Sequence, residues 1–300
     1  MTVCVSALAS NEEAIVCIAD KALSYGDHFQ WDSDSIKMLP VNPSGSLIMF
    51  AGGERGTSKV LARILARESE VGTTTVADTT KLLEAEYKAA KDELVEQLYL
   101  APRLLKRSDY LDAVKGAAIN PYIKSVAEEI DAFDMDCQLL VCGFDGEDKP
   151  FILDVMNPGV VTDMTTTGFH AIGSGWGEAV SHLLFTEHKR THGVDRVLYD
   201  VFDAKANAEL NANVGYEWDA QVIVAGSNKP VFIPRETQKL IERVWVKATR
   251  SPFEKRTKED AAPPPSNWRD ELSTFAVAVM KPVMAVRSKR LASRKSKATK

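Results

Sequence analysis

Residues 2–20 read TVCVSALASNEEAIVCIAD. Two apolar runs, TVCVSALA and AIVCIA, flank the polar turn SNEE, and that pattern predicts an antiparallel hairpin. SIKMLPV (35–41) and SLIMFA (46–51) repeat it across the turn NPSG. The period then changes. In TSKVLARILARES (57–69), Val60, Leu61, Ile64 and Leu65 share one helical face, with Thr57 or Ser58 as the expected N-cap. Residues 76–100 predict a longer helix with a stripe of Leu82, Leu83, Tyr87, Ala90, Leu94 and Leu98, stopped by Pro102. Two shorter helices are expected near 108–115 and 122–131.

Strand patterns return at CQLLVCGF (137–144) and PFILDVM (150–156), joined through GEDK, and continue in GVVTD and FHAIGS. Helices are predicted over 177–188 and 194–210, and a last hairpin at DAQVIVAG and PVFIP. The order is therefore strands, helices, strands, helices, strands. Two antiparallel sheets packed face to face, with helix pairs outside, satisfy it: an α+β fold of four layers, αββα. Strictly alternating βαβ units are missing from the pattern, which argues against a Rossmann fold.

The chain has 300 residues, 45% hydrophobic and 26% charged, enough for a substantial core. Between 272 and 300 lie eight basic residues and no acid, whereas the preceding residues carry 29 basic and 42 acidic side chains. KRTKEDAAPPPSN (255–267) resists helix and sheet and reads as a linker. The expected organisation is a body over 1–247, with an extended helical region at 70–136, a linker at 248–268, and a short apolar segment with a basic tail at 269–300. Removal of 255–300 is expected to leave the body intact. The basic tail is the expected site of any polyanion binding; otherwise nucleic acid is not an expected partner.

Cys4, Cys17, Cys137 and Cys142 form no CxxC pair and suit buried thiols in a reducing compartment. The start of the chain lacks a signal-peptide pattern, and no apolar run approaches the roughly 18 residues of a membrane span. A cytoplasmic location is the expectation.

GSGWG (173–177) misses the dinucleotide fingerprint by one residue, and GGERGTSK (52–59) lacks the P-loop spacing. In HAIGSGWG the place of the first glycine in a nucleophile elbow is held by Ile172. His182, His188 and His192 straddle a helix end, but no neighbouring acid or cysteine completes a ligand set. Hence neither a cofactor nor a metal is expected.

One constellation remains. Thr2 begins the first strand, Asp20 ends the second, Lys37 begins the third and Gly52 follows the fourth. Antiparallel strands of similar length bring such ends together. Loss of Met1 would give Thr2 a free α-amine beside its hydroxyl, a base and a nucleophile in one residue. A lysine cation nearby favours the alkoxide, a carboxylate beside it keeps the lysine charged, and the Gly52 N–H is a candidate oxyanion donor.

These motifs together resemble the proteasome β-subunit and the HslV-type peptidases of the Ntn-hydrolase superfamily, from Thr2 to about Pro234. ADKALSYG (19–26) matches the family's Ala-Asp-x-Arg-x-Thr/Ser-x-Gly at Asp20, Ser24 and Gly26. Lys37 before an apolar strand, FAGGERG entering a helix, and HAIGSGWG with Ser174 follow in the family's order. The resemblance implies the αββα fold, Thr2 as nucleophile, and Lys37 and Asp20 as its charged support. It further implies Gly52 at the oxyanion, Ser174 orienting the amine, Ser24 and Gly53 as substrate-binding positions, and assembly into rings. Ala22 stands where the family has arginine. Residues 208–221 offer Asn211 and Asn213 where catalytic members carry an aspartate and a serine.

The expected function is thus a threonine-type hydrolase of peptide or other amide bonds, with a peptide or protein as substrate. The alternatives are a non-catalytic ring or scaffold subunit of the same fold, and a small-molecule amidase. The sequence names no ATPase partner.

Overall fold

β1 (Val3–Ala9) and β2 (Ala14–Asp20) form the expected hairpin, and every residue of both is buried. Their side chains divide by parity. Val3, Val5, Ala7 and Ala9 face a helical layer, while Cys4 and Leu8 face a second sheet. A strand covered on both faces reads as a continuous apolar run, which is why TVCVSALA shows little polar alternation. In the computed structural model the described residues are 2–25, 29–32, 36–115, 120–211, 213–249 and 267–281.

The first sheet has the order β10-β1-β2-β11-β12, with β10 (Phe169–Gly173), β11 (Trp218–Val224) and β12 (Val231–Phe232). The second runs β5-β6-β7-β8-β9: Met38–Val41, Ser46–Gly52, Cys137–Phe144, Pro150–Met156 and Val160–Asp163. All pairings in both are antiparallel. A small extra hairpin, β3 (Ala22–Tyr25) with β4 (Phe29–Asp32), was not foreseen by the sequence pattern. The two large sheets meet through Cys4, Leu8, Ile15, Cys17, Leu47, Met49, Leu140 and Ile152.

Helices close both outer faces. α1 (Glu54–Leu65) and α2 (Val76–Val95) cover the second sheet through Val60, Ile64, Leu83, Tyr87 and Ala90. The Tyr87 hydroxyl donates to the Cys137 carbonyl at 2.7 Å. α1 begins at Glu54, not after Thr57: Gly53 is its N-cap and Thr57 is buried. α2 keeps its predicted stripe, then widens into a π turn at Glu96–Leu100 before Pro102. α3 (Arg107–Lys115) and α4 (Pro121–Asp131) follow.

α5 (Trp176–Phe185) and α6 (Val194–Ala208) cover the first sheet through Ala179, Leu183, Val197, Val201 and Ala204. α7 (Arg235–Thr249), which the sequence pattern left unassigned, adds Leu240, Ile241 and Val244 to that layer. Residues 268–281 form a further helix, α8, and bury Leu272, Ala276 and Val279 in the same cluster. Residues 250–266 of the expected linker and 282–300 of the basic tail lie outside the described residues, and the expected boundary at 247/248 falls inside α7. Among the described residues no helix is long and apolar enough to cross a membrane.

Candidate active site

Thr2 precedes β1 and Asp20 closes β2 in one sheet; Lys37 precedes β5 and Gly52 closes β6 in the other. The four ends lie at one edge of the sandwich, and Lys37 bridges the sheets there. Its ammonium donates to Thr2 Oγ1, to Asp20 Oδ1 at 3.1 Å, and to the Ala22 carbonyl. Three acceptors exhaust its three protons. Thr2, Asp20 and Lys37 are 5%, 0% and 6% exposed, so this network works out of bulk water, where its electrostatics are strong.

Asp20 is the hub. Oδ1 accepts the Val3 N–H at 2.9 Å, and Oδ2 accepts those of Ala22 at 3.2 Å and Gly215 at 3.0 Å. A buried carboxylate survives when donors surround it, and here backbone amides do most of that work. The first of them, Val3 N–H, fixes the chain beside Thr2.

The turn after β10 brackets the Thr2 backbone. The Thr2 N–H lies 3.3 Å from Ser174 Oγ, the Ser174 hydroxyl donates to the Thr2 carbonyl at 3.3 Å, and the Gly175 N–H reaches that carbonyl at 3.5 Å. Gly173 sits at φ +88°, and a Cβ there would stand 2.2 Å from the Thr2 oxygen, so only glycine fits. Gly52 is similarly constrained: its φ is +115°, and a Cβ would meet the Asp136 carbonyl at 2.0 Å.

Gly53 donates its N–H to Asp136 O at 2.5 Å and accepts from Thr57 N–H at 3.1 Å. Its backbone serves the entry into α1, which sets it apart from a peptide-pairing position. Ser24 pairs with Gln30 in the β3–β4 hairpin. Gly26 lies outside the described residues. Asn211, from the segment after α6, donates to the Ser174 carbonyl at 3.1 Å and accepts the Asn213 N–H at 3.2 Å.

The sequence reading missed three polar residues, of which Asp154 is buried and Gln138 and His170 are half-buried. Gln138 Oε1 accepts the Gly173 N–H at 3.3 Å, its amide donates to Asp154 at 3.0 Å, and His170 Nε2 lies 3.0 Å from Asp154 Oδ2. They pin the Gly173–Ser174 turn to the second sheet. The signal was available: Gln138 and Asp154 are lone polar residues inside apolar strand runs.

Cys4, two residues from Thr2, is no rival nucleophile. Burial pushes its thiol far up, outweighing the opposing pull of the Lys37 charge, and Cys17 is raised for the same reason. A cavity of about 240 Å³ abuts Asp20 and Lys37, walled by Ile36, Met38, Pro40 and Phe232.

The histidines require a correction. His182 pairs with Asp203 at 2.8 Å. An acid does stand with the other two: Asp200, from α6, groups with His188 and His192. Asp200 lies eight residues beyond His192, and the fold-back of α6 onto the connection brings it to both histidines.

No protein-family model and no curated protein matches the chain. Among solved structures, it resembles a Gly-1 mutant of Anbu from Hyphomicrobium sp. strain MC1 at 14% identity, with TM-score 0.55, covering 86% of this chain and all of that one. It also aligns with eukaryotic HslV from Trypanosoma brucei at 16% identity, with TM-score 0.45, covering 74% of this chain and 99% of that one. The layer order, the sheet pairing and the Anbu match agree: this chain has a four-layer αββα sandwich fold, shared with Anbu.

Proposed function

We propose that this protein is an N-terminal-nucleophile hydrolase that cleaves peptide or related amide bonds with Thr2. The observation that carries the reading is the buried bond from Lys37 Nζ to Thr2 Oγ1, with Asp20 behind it. The Asp20 carboxylate and the Ala22 carbonyl hold the ammonium at the Thr2 hydroxyl, where a fixed positive charge favours an alkoxide.

In the proposed reaction Met1 is first removed. The freed α-amine takes the Thr2 hydroxyl proton as Oγ1 attacks the amide carbonyl. Lys37 stabilises the developing alkoxide, and Asp20 holds Lys37 in place. The Gly52 N–H is the proposed oxyanion donor. The α-amine then protonates the leaving nitrogen, and water releases the acyl group. Ser174 Oγ, 3.3 Å from the Thr2 nitrogen, would orient the amine. Self-association belongs to the same reading, and Leu184 and Phe185, adjacent at the end of α5 and 63% and 84% exposed, support it.

The test is intact mass plus turnover of a fluorogenic peptide library. The expected result is a protein lacking Met1, with activity lost in Thr2→Ala while its melting temperature is kept. Retained Met1, or undiminished hydrolysis in Thr2→Ala, would overturn the mechanism.

A further inference from the structure

At the far end of β1 from Thr2 lies a second cluster. The connection from α5 to α6 carries His188 and His192, and α6 carries Asp200. One ligand atom from each falls within 4.8 Å of the others. Asp200 Oδ2 lies 3.5 Å from His192 Nδ1 and 3.8 Å from His188 Nδ1. Those separations are long for hydrogen bonds. They suit two ligands of one ion at about 2.0–2.2 Å, whose tetrahedral edge is roughly 3.4 Å.

The cluster is also unsatisfied. The side chains of His188 and Asp200 are 1% exposed, yet neither ring nitrogen of His188 nor Oδ2 of Asp200 has a hydrogen-bond partner. Buried polar atoms are ordinarily paired, and His188 Nδ1 and Asp200 Oδ2, 3.8 Å apart and both orphaned, imply a missing partner between them. The other carboxylate oxygen is held: Arg196 Nε donates to Asp200 Oδ1 at 2.8 Å, which fixes Oδ2 toward the histidines. The Lys189 N–H lies 3.4 Å from His192 Nδ1, a contact that ligation would replace. The His192 side chain is 26% exposed, so solvent reaches the fourth position.

We propose that His188, His192 and Asp200 form a binding site for a divalent transition-metal ion of the zinc class. Two imidazoles and one carboxylate select such an ion over Mg²⁺ or Ca²⁺, which take oxygen ligands. The Arg196 charge opposes a cation electrostatically, so affinity rests on directional ligand bonds, which again favours zinc.

The site has a structural task at hand. Ser10, Asn11 and Glu12 in the β1–β2 turn all sit at positive φ, a strained run for non-glycine residues. They are held by the same connection: Ser10 N–H donates to His192 O at 2.7 Å and Asn11 N–H to Arg190 O at 2.8 Å. A bound ion would tie that connection to α6, and through it hold the turn.

The experiment uses the full chain, stripped with chelator, given one equivalent of Zn²⁺ and desalted before zinc is counted. One ion per chain is expected. The Co²⁺ derivative should show tetrahedral absorption without a thiolate charge-transfer band, which separates this site from the cysteines. His192→Gln, at a partly exposed position, should fold and lose at least about 100-fold in Zn²⁺ affinity. Zinc should raise the melting temperature of the wild type and not of His192→Gln. Thr2→Ala should bind zinc as the wild type does, whatever the fate of the proposed hydrolase activity. No retained zinc, or equal retention by His192→Gln, would overturn the site.

Discussion

The Lys37–Asp20 pair separates two roles that a single alanine scan would confuse. Lys37 touches the proposed nucleophile; Asp20 mainly gathers backbone amides from Val3, Ala22 and Gly215. Lys37→Ala should therefore lower turnover by two to three orders of magnitude, as removal of one catalytic donor costs about 3–4 kcal/mol. Asp20→Ala strands a buried ammonium and three amides and should cost about 3–5 kcal/mol of stability. Denaturant melts alongside peptide turnover resolve them: Lys37→Ala with normal turnover would make Lys37 a structural residue. Thr2, Asp20, Lys37, Gly52 and Ser174 were legible because each sits where an apolar run meets a turn. Gly215 and Gln138 were not, because their partners Asp20 and Gly173 lie far along the chain and only the folded register brings them near; Asp200 was missed because the α5–α6 connection must fold back before the histidines meet α6.

At the scale of elements, sheet strands were easy to read and helix starts were not. β1, β2, β6 and β7 are buried on both faces, so their apolar runs stand out. α1 begins at a glycine cap that makes no side-chain hydrogen bond, so no capping residue marks its start. Between α1 and α2 runs an ion-pair network: Glu86 receives Arg63 at 2.9 Å and Arg67 at 2.8 Å, Lys59 meets Glu93 at 2.7 Å, and Arg67 meets Glu70 at 2.6 Å. Hydrogen bonding from Arg67 holds the Glu70 carboxyl below its usual range, and Lys59 does the same for Glu93. A depressed folded-state value means stabilisation present above the unfolded value, about 4.3, and lost as pH falls through the folded one. The melting temperature should therefore drop below about pH 4.3, and salt should blunt the dependence because both carboxylates are exposed. A melting temperature flat from pH 5 to pH 3 would remove the network from the stability account. α8 makes a second prediction. A chain ending at 267 uncovers the surface beneath Leu272, Ala276 and Val279 and should melt earlier and bind hydrophobic dye, whereas one ending at 281 should match the full chain in both.

For the whole molecule, self-association is open to direct measurement. Light scattering should give a mass several times the 33.0 kDa of one chain, and Phe185→Lys should reduce it. A strictly monomeric wild type would remove the ring from the proposal. The order of the first sheet carries a last implication. β1 lies between β2 and β10, and β2 lies between β1 and β11, so the opening twenty residues are flanked by strands made after residue 168. Loop closure over such separations is slow, and domains settle as units during synthesis. The leading segment thus spends most of translation without its later neighbours. Once they arrive, Thr2 is sealed to 5% exposure. An aminopeptidase trimming Met1 needs an extended, reachable terminus. The terminus is open to such trimming on the ribosome, before β10 docks, so under the proposed mechanism the timing of synthesis would bear on whether a given copy is born competent.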